Sequence, residues 1–407
     1  MVHGAGRYDH FPTAARPGPP GSPASCLRRH RPSCRFEWFR SDGGDPAELV
    51  TQWLAGNGLP VRDLILSATP FHPIGDGSVC GSSLFVSADA CSVMAGGAPG
   101  APAPVPGIPD VAAVLYVHDD AAGAGPAVGE SDAGGDNQYP WWLGDWVPSW
   151  TPAEHAAAVQ AVRAAIGRGD VYQANVVGHA SAPYTGDPAR ALQRVTELPG
   201  ARYGGVLSGT GWAIASASPE TLVEVRAGRV ITRPIKGTRP ATATGRADLL
   251  ASAKERAEHI MIVDLMRNDL ARLPGVGPVV VDELFAVRRW AQLWQAESQV
   301  SAPIIGDLDL AALLRALCPG GSVTGAPKLA ALHRIAALEP VGRGVSMGAL
   351  GWVGTDHIDL GLTIRTVAAG SGRLHLWAGG GITIDSDPAA EVAEAAAKAA
   401  PIRRALA

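Results

Sequence analysis

Apolar and polar positions along the 407-residue chain change period several times. "LVTQWLAGNGL" (49–59) has helical spacing, and "SSLFVSA" (82–88) and "VAAVLYVH" (111–118) have the β-rich runs of strands. The Gly/Ala/Pro-rich stretches 94–110 and 119–138 flank the second strand and predict loops. Thr151-Pro152-Ala153-Glu154 is a capping box with proline at the first helical position, so a helix starts there and stops at Gly167 and Gly169. "DVYQANVVGHA" (170–180) follows as a strand, and further strand-like runs cover 204–208, 212–217, 221–226 and 229–233. A long helix is expected over 247–268 and another after Pro327. Strands are expected near 347–353 and 359–367, and a last helix after Asp387-Pro388. Strands and helices do not alternate, so the pattern predicts an α+β fold rather than a doubly wound sheet.

Composition adds limits. The chain is 46% hydrophobic and 18% charged, with 50 glycines, 33 prolines and a net charge of −4. That balance gives no reason to expect nucleic acid or an acidic membrane as partner. No apolar run is long enough for a membrane span. The five cysteines include no C-x-x-C pair, so neither a disulfide framework nor a zinc site is expected, and a cytoplasmic setting fits. Residues 1–35 carry six arginines and no apolar core of a signal peptide, and read as a disordered extension or a start-site artefact.

Several segments could carry chemistry. Glu255 and Glu258 are three apart on one helix face, next to apolar Ile262 and Leu265. They are either a solvated edge or carboxylates that need a cation. In "DSDPAAEVAEAAAKAA" (385–400), Glu391, Glu394 and Lys398 line up on one face of an alanine-rich helix. Four carboxylates on two helices make a hard-oxygen donor set suited to Mg²⁺. "CPGGSVTGAPK" (318–328) and "WAGGGITI" (377–384) are glycine-rich; each is either a plain turn or a backbone that admits a ligand. Arg365, expected inside a β-branched strand, invites a carboxylate partner. Glu220 and Lys236, sixteen residues apart on strands joined by a turn, could meet as general acid and nucleophile. Alone, "TRPIKGTRP" (232–240) is equally compatible with a solvated loop lysine.

Read in order, "GDVYQAN", "SASPE", "PIKGT", "AEHIMIVDLMRND", "PGGSVTGAPK", "GALGW", "TIRT" and "AGGGITIDSDPAAE" resemble the chorismate-utilising enzymes over roughly 150–404. That family includes component I of anthranilate synthase and of aminodeoxychorismate synthase, isochorismate synthases and salicylate synthases. The resemblance implies the anthranilate synthase component I fold, with β-sheets packed in a sandwich and helices outside. It divides the chain into the extension (1–35), a divergent N-terminal subdomain (36–140) and a catalytic domain (150–404). It implies chorismate as substrate, Mg²⁺ as cofactor, and ammonia from a separate glutaminase subunit, since the chain shows no glutaminase nucleophile motif.

The resemblance also assigns roles. Gln173, where water-adding members carry a lysine, implies amination. Lys236 in P-I-K-G-T, where anthranilate synthases typically read P-I-A-G-T, implies an aminodeoxychorismate-forming member on the way to para-aminobenzoate and folate. Anthranilate synthase and a non-catalytic chorismate binder are the alternatives. Glu220 resembles the general acid and Lys236 the nucleophile later displaced by ammonia. Glu258 and Glu394 resemble direct Mg²⁺ ligands, with Glu255 and Glu391 behind them. Thr324, Arg365, Lys398 and the amides of Gly379, Gly380 and Gly381 resemble the holders of the substrate carboxylates. Three departures are expected to affect rate and positioning rather than fold. Gln295 replaces a usual histidine, Ser346 or Met347 a usual tyrosine, and "WWLGDW" (141–146) a usual strand. A tryptophan-sensing signature has at most a faint echo in "LILSAT" (64–69).

Overall fold

The computed structural model describes residues 30–65, 77–97, 100–118, 140–290 and 293–407. Among them, ten strands form one antiparallel sheet: β1 (His30–Trp38), β2 (Val79–Val86), β3 (Val111–His118), β9 (Thr221–Arg226), β10 (Arg229–Arg233), β11 (Ile235–Pro240), β12 (Val280–Trp290), β13 (Leu293–Pro303), β15 (Ala349–Gly354) and β16 (His357–Leu362). The second sheet holds the other eight: β4 (Trp142–Leu143), β5 (Val147–Pro148), β6 (Gln173–Thr185), β7 (Tyr203–Gly209), β8 (Trp212–Ser218), β14 (Gly325–Ala326), β17 (Thr366–Gly370) and β18 (Arg373–Ile382). The helices are α1 (Pro46–Gly56), α2 (Ala88–Met94), α3 (Pro152–Gly167), α4 (Ala189–Thr196), α5 (Gly245–Ala251), α6 (Ala253–Ala271), α7 (Leu310–Leu317), α8 (Lys328–Leu338) and α9 (Pro388–Leu406).

The two sheets face one another across a shared core. Leu207, Ile214, Ala368 and Trp377 of the eight-stranded sheet join Leu84, Phe85, Val114, Val223, Leu350 and Leu360 of the ten-stranded one. Tyr203 crosses between them and donates to Thr221 Oγ1 at 2.7 Å. Helices α4 and α9 cover the second sheet through Leu192, Val195, Ile402 and Leu406. Helices α1, α6 and α7 extend the first core with Leu54, Ile262, Leu270 and Leu314, all essentially without exposed surface. The expected α+β sandwich is therefore the observed architecture.

Local signals account for several helix starts. Thr151 Oγ1 accepts from the Glu154 amide at 3.2 Å and Glu154 Oε2 from the Thr151 amide at 2.6 Å, closing the capping box of α3. Asp387 Oδ1 accepts from the Ala390 amide at 2.8 Å, with Pro388 opening α9.

Four expectations need correction. The helix over 247–268 is two helices: Ser252 is extended at ψ 102° and caps α6 by accepting from the Glu255 amide. A serine that bonds the backbone ahead of it competes with helix continuation. The strand over 359–367 is also two, separated at Arg365, whose φ of 50° breaks the ladder. The disorder expected through residue 35 does not hold for 30–35, which open β1 and pair with β3; residues 1–29 lie outside the described residues. The segments of the N-terminal subdomain also form no layer of their own. β2 pairs with β15 from Ala349↔Val86 to Gly354↔Gly81, so both ends of the chain build one sheet. The 119–138 loop and most of "LILSAT" lie outside the described residues.

Candidate active site

The site gathers around the three glycines of β18, and each is glycine for a different reason. A Cβ on Gly379 would sit 1.9 Å from the Val176 carbonyl oxygen, so that position serves the pairing with β6. A Cβ on Gly380 would lie 3.1 Å from Glu391 Oε2, 3.6 Å from Lys398 Nζ and 3.8 Å from Glu394 Oε1. One on Gly381 would lie 2.7 Å from Gln173 Nε2 and 2.9 Å from Lys236 Nζ. The bare backbone of Gly380 and Gly381 is thus the floor onto which five polar side chains converge. Strand β17 pairs with β18 only as far as Val367↔Leu376, leaving the far edge of 377–382 without a strand among the described residues. Lys398 Nζ takes the Gly379 carbonyl there at 3.0 Å.

Glu220 and Lys236 are near enough for each to act on the other's charge, with no direct ion pair between them among the described residues. Glu220 is 6% exposed, at the end of β8 where the chain turns into β9. Burial pushes its carboxyl up to about 7, against the Ser322 hydrogen bond and the Lys236 charge, which favour the ionised form. Lys236 lies in β11, beside Gly237 at φ +86°. Loss of water and the nearby Lys398 lower its pKa, and Glu258, Glu220 and Glu394 oppose them. A neutral acid beside a neutral amine carries the same net charge as the ion pair, and burial favours the neutral arrangement. Gln173 is 1% exposed, and both its side-chain oxygen and nitrogen are buried without a hydrogen-bond partner in the protein. An unpaired buried amide next to the Lys236 amine marks a place where a ligand supplies the missing bonds.

The carboxylates sit on α6 and α9. Glu255 pairs with Arg239 at 2.9 Å, Glu258 with Lys254 at 3.8 Å, Glu394 with Lys398 at 2.6 Å, and Glu391 accepts from Ser386 at 2.7 Å. Burial, then the charges of Glu255 and Glu391, raise Glu258, while Lys236 and Lys254 hold it back. Burial also works against ionised Glu394, yet Lys398 holds it below the usual carboxylate range. Three of the four are paired with a base, and no three of them bring their oxygens within 4.8 Å of one another, so a hard divalent cation would have to draw them together.

Arg365 is half-buried, and burial lowers its pKa against the opposing charge of Glu220. Its side chain makes no hydrogen bond or ion pair among the described residues. Thr324 is buried on the glycine-rich loop, and both its donors are committed there: Oγ1 to the Gly320 carbonyl at 2.8 Å and the amide to Gly321 at 3.3 Å. Val323 also donates back to Gly320, so this loop spends its amides on itself rather than at a helix start.

Sequence reasoning missed the residues that hold this machinery in place. Ser322 Oγ donates to Glu220 Oε1 at 2.8 Å. His259 Nδ1 stands 3.3 Å from the Lys236 carbonyl oxygen and its Nε2 2.6 Å from Ser298 Oγ. The buried Arg343 donates to the Val323 carbonyl at 2.7 Å, to the Asn175 carbonyl at 3.0 Å and to both oxygens of Glu339, tying the glycine-rich loop to β6. Only the Glu339–Arg343 spacing, i to i+4, was visible in sequence. Gln295, in place of the usual histidine, is 3% exposed and pairs opposite Thr238, two residues beyond Lys236. Ser346 is fully buried, its hydroxyl 3.4 Å from the Thr363 carbonyl.

Comparison with known proteins places the chain among relatives of similar sequence and fold. A protein named aminodeoxychorismate synthase component 1 from Klebsiella aerogenes is 39% identical over 256 residues, 61% of this chain and 57% of that one. Anthranilate synthase component 1 from Streptomyces coelicolor is 38% identical over 257 residues, 61% of this chain and 50% of that one. The chain thus spans little more than half the length of these relatives. The crystal structure of anthranilate synthase component I from Streptococcus pneumoniae superposes with a TM-score of 0.74 at 25% identity, covering 98% of this chain and 100% of that one. The profile of the chorismate binding enzymes matches residues 127–404, well over half of the sequence, and the chain belongs to that family.

Proposed function

We propose that the protein is the chorismate-aminating component of an aminodeoxychorismate synthase, converting chorismate and ammonia to 4-amino-4-deoxychorismate. The observation that carries this reading is the meeting of Lys236 and Gln173 over Gly381, with Glu220 acting on Lys236 and raised to about 7. Relatives named aminodeoxychorismate synthase component 1 support it, and relatives named anthranilate synthase component 1 make that reaction the second reading.

In this reading neutral Lys236 attacks a ring carbon of chorismate. The ring hydroxyl takes the Glu220 proton and leaves as water, and Lys236 is left bonded to the ring. Ammonia then adds to the ring, the C–N bond to Lys236 breaks, and the protons are returned to Glu220 and solvent. Gln173 has free donor and acceptor capacity for the incoming ammonia or the leaving water. Arg365, Lys398 and the open edge of Gly380 and Gly381 hold the two carboxylates. Glu258 and Glu394, with Glu255 and Glu391 behind them, would hold Mg²⁺, which neutralises carboxylate charge on the substrate. The ammonia comes from a separate glutaminase subunit, and the product leads towards para-aminobenzoate and folate.

The test is to incubate the protein with chorismate, Mg²⁺ and an ammonium salt and to identify the product. Aminodeoxychorismate is expected; anthranilate would overturn the assignment.

A further inference from the structure

A second cluster of metal-binding side chains lies on β1, β3 and β2 of the ten-stranded sheet, whereas the β18 glycines belong to the other sheet. One ring nitrogen each of His30 and His118 and the Sγ of Cys80 all lie within 4.8 Å of one another. The three residues come from three neighbouring strands in the order β1-β3-β2. His118 is in the middle and pairs directly with His30 in the β1–β3 register. On its other side the β2–β3 register jumps between Val79↔Val117 and Gly81↔Tyr116, so Cys80 is the extra residue of a bulge. Cys80 Sγ is 3.9 Å from His30 Nε2, and the two imidazole rings are 5.1 Å apart at 47°.

We propose that His30, Cys80 and His118 form a binding site for a zinc-class divalent cation, which clasps the edge strand β1 to the body of the sheet. Several observations support it. Two imidazoles and a thiolate are the ligand types that select zinc and its neighbours, whereas the glutamates of the active site suit magnesium. The His30 Nδ1 is buried without a hydrogen-bond partner in the protein. Burial and the neighbouring His118 lower the His30 pKa, the direction that favours the neutral imidazole a metal binds. Tetrahedral bonds of 2.0–2.3 Å need ligand atoms about 3.5 Å apart, so closure takes a movement of about 1 Å. On binding, the Cys80 S–H bond breaks, the proton goes to solvent and a metal–sulfur bond forms. Water fills the fourth position. Among the described residues β1 is a sheet edge with one neighbouring strand, which is where a cross-strand clasp adds most. Sequence spacing could not show the site, because its three ligands are scattered over β1, β2 and β3.

The test uses the full chain, stripped with a chelator and titrated with Co²⁺ and then Zn²⁺. One equivalent of Co²⁺ should give a thiolate-to-cobalt charge-transfer band that Zn²⁺ removes. Cys80→Ser should abolish the band. His30→Gln and His118→Gln should weaken Zn²⁺ binding by about 100-fold or more. His333→Gln, an exposed histidine on α8, and Glu258→Gln, in the active site, should leave the band intact. Zinc should raise the melting temperature of the wild type and leave that of Cys80→Ser unchanged. A wild-type protein with no thiolate-to-cobalt band overturns the proposal, as does a Cys80→Ser variant that keeps the band.

Discussion

Ser322 Oγ donates a 2.8 Å hydrogen bond to Glu220 Oε1, across 102 residues of sequence and into a buried carboxyl. The bond stabilises the ionised form of a group that burial pushes up to about 7. As general acid, Glu220 must be protonated, so activity is expected to fall as pH rises through about 7. In Ser322→Ala the ionised form loses its donor, the pKa rises further, and the alkaline limb of the kcat/KM profile moves to higher pH. An unmoved limb would show that another group titrates there.

Glu220→Gln should lose on the order of 10²–10⁴ in kcat. The same change should stabilise the fold at high pH. The folded pKa of Glu220 lies above its ordinary 4.5, so its contribution is fully present below 4.5 and is lost as pH rises through about 7. The glutamine cannot ionise. Its melting temperature should therefore exceed that of the wild type at pH 8, and the difference should shrink by pH 5. At 1.36 kcal/mol per pH unit the effect is at most about 3 kcal/mol.

The glycines of β18 predict a separation of stability from activity. In Gly379→Ala the methyl group meets backbone at Val176, which cannot give way, and the expected cost is about 1–3 kcal/mol or more. In Gly381→Ala it meets the ends of the Gln173 and Lys236 side chains, which can turn aside. That variant should unfold near the wild-type urea concentration yet lose most of its turnover. Equal losses of stability in the two variants would contradict this assignment of floor and ladder.

How far this site could be read beforehand depended on where each bond partner lies. The capping box of α3 and the glycines of β18 rest on short segments with fixed spacing, and the structure keeps them. Arg365 was misplaced in a strand because its β-branched neighbours carry the strand signal; a φ of 50° has no signature in an arginine. Ser322, His259 and Arg343 act through partners 102, 23 and up to 168 residues away, and no local pattern reveals that. Thr324 sits in the expected loop, but only coordinates show that its donors are spent within that loop. The fold class was legible because periodicity reports local structure. The pairing of β2 with β15 was not, because it joins strands far apart in sequence.

Acid should destabilise the protein through buried histidines. Burial above all, joined by nearby positive charge, lowers His259, His179 and His375 to about 4 from 6.5. His179 Nε2 and His375 Nδ1 stand 3.1 Å apart, and both must take a proton to unfold at low pH. A depressed pKa in the folded state gives stability that is present above 6.5 and lost as pH falls through about 4. The urea midpoint should drop steeply across that window. His179→Gln should flatten the drop, and an unchanged slope would assign the acid lability elsewhere.

The central claim is that Lys236 bonds to the substrate. The most direct measurement is mass spectrometry of the peptide carrying Lys236 after quenching the protein with chorismate and Mg²⁺ in the absence of ammonia. An adduct of chorismate less one water on Lys236, discharged by adding ammonium and absent in Lys236→Ala, is the predicted result. An unmodified Lys236, together with a Lys236→Ala variant that still forms aminodeoxychorismate at the wild-type rate, would contradict it.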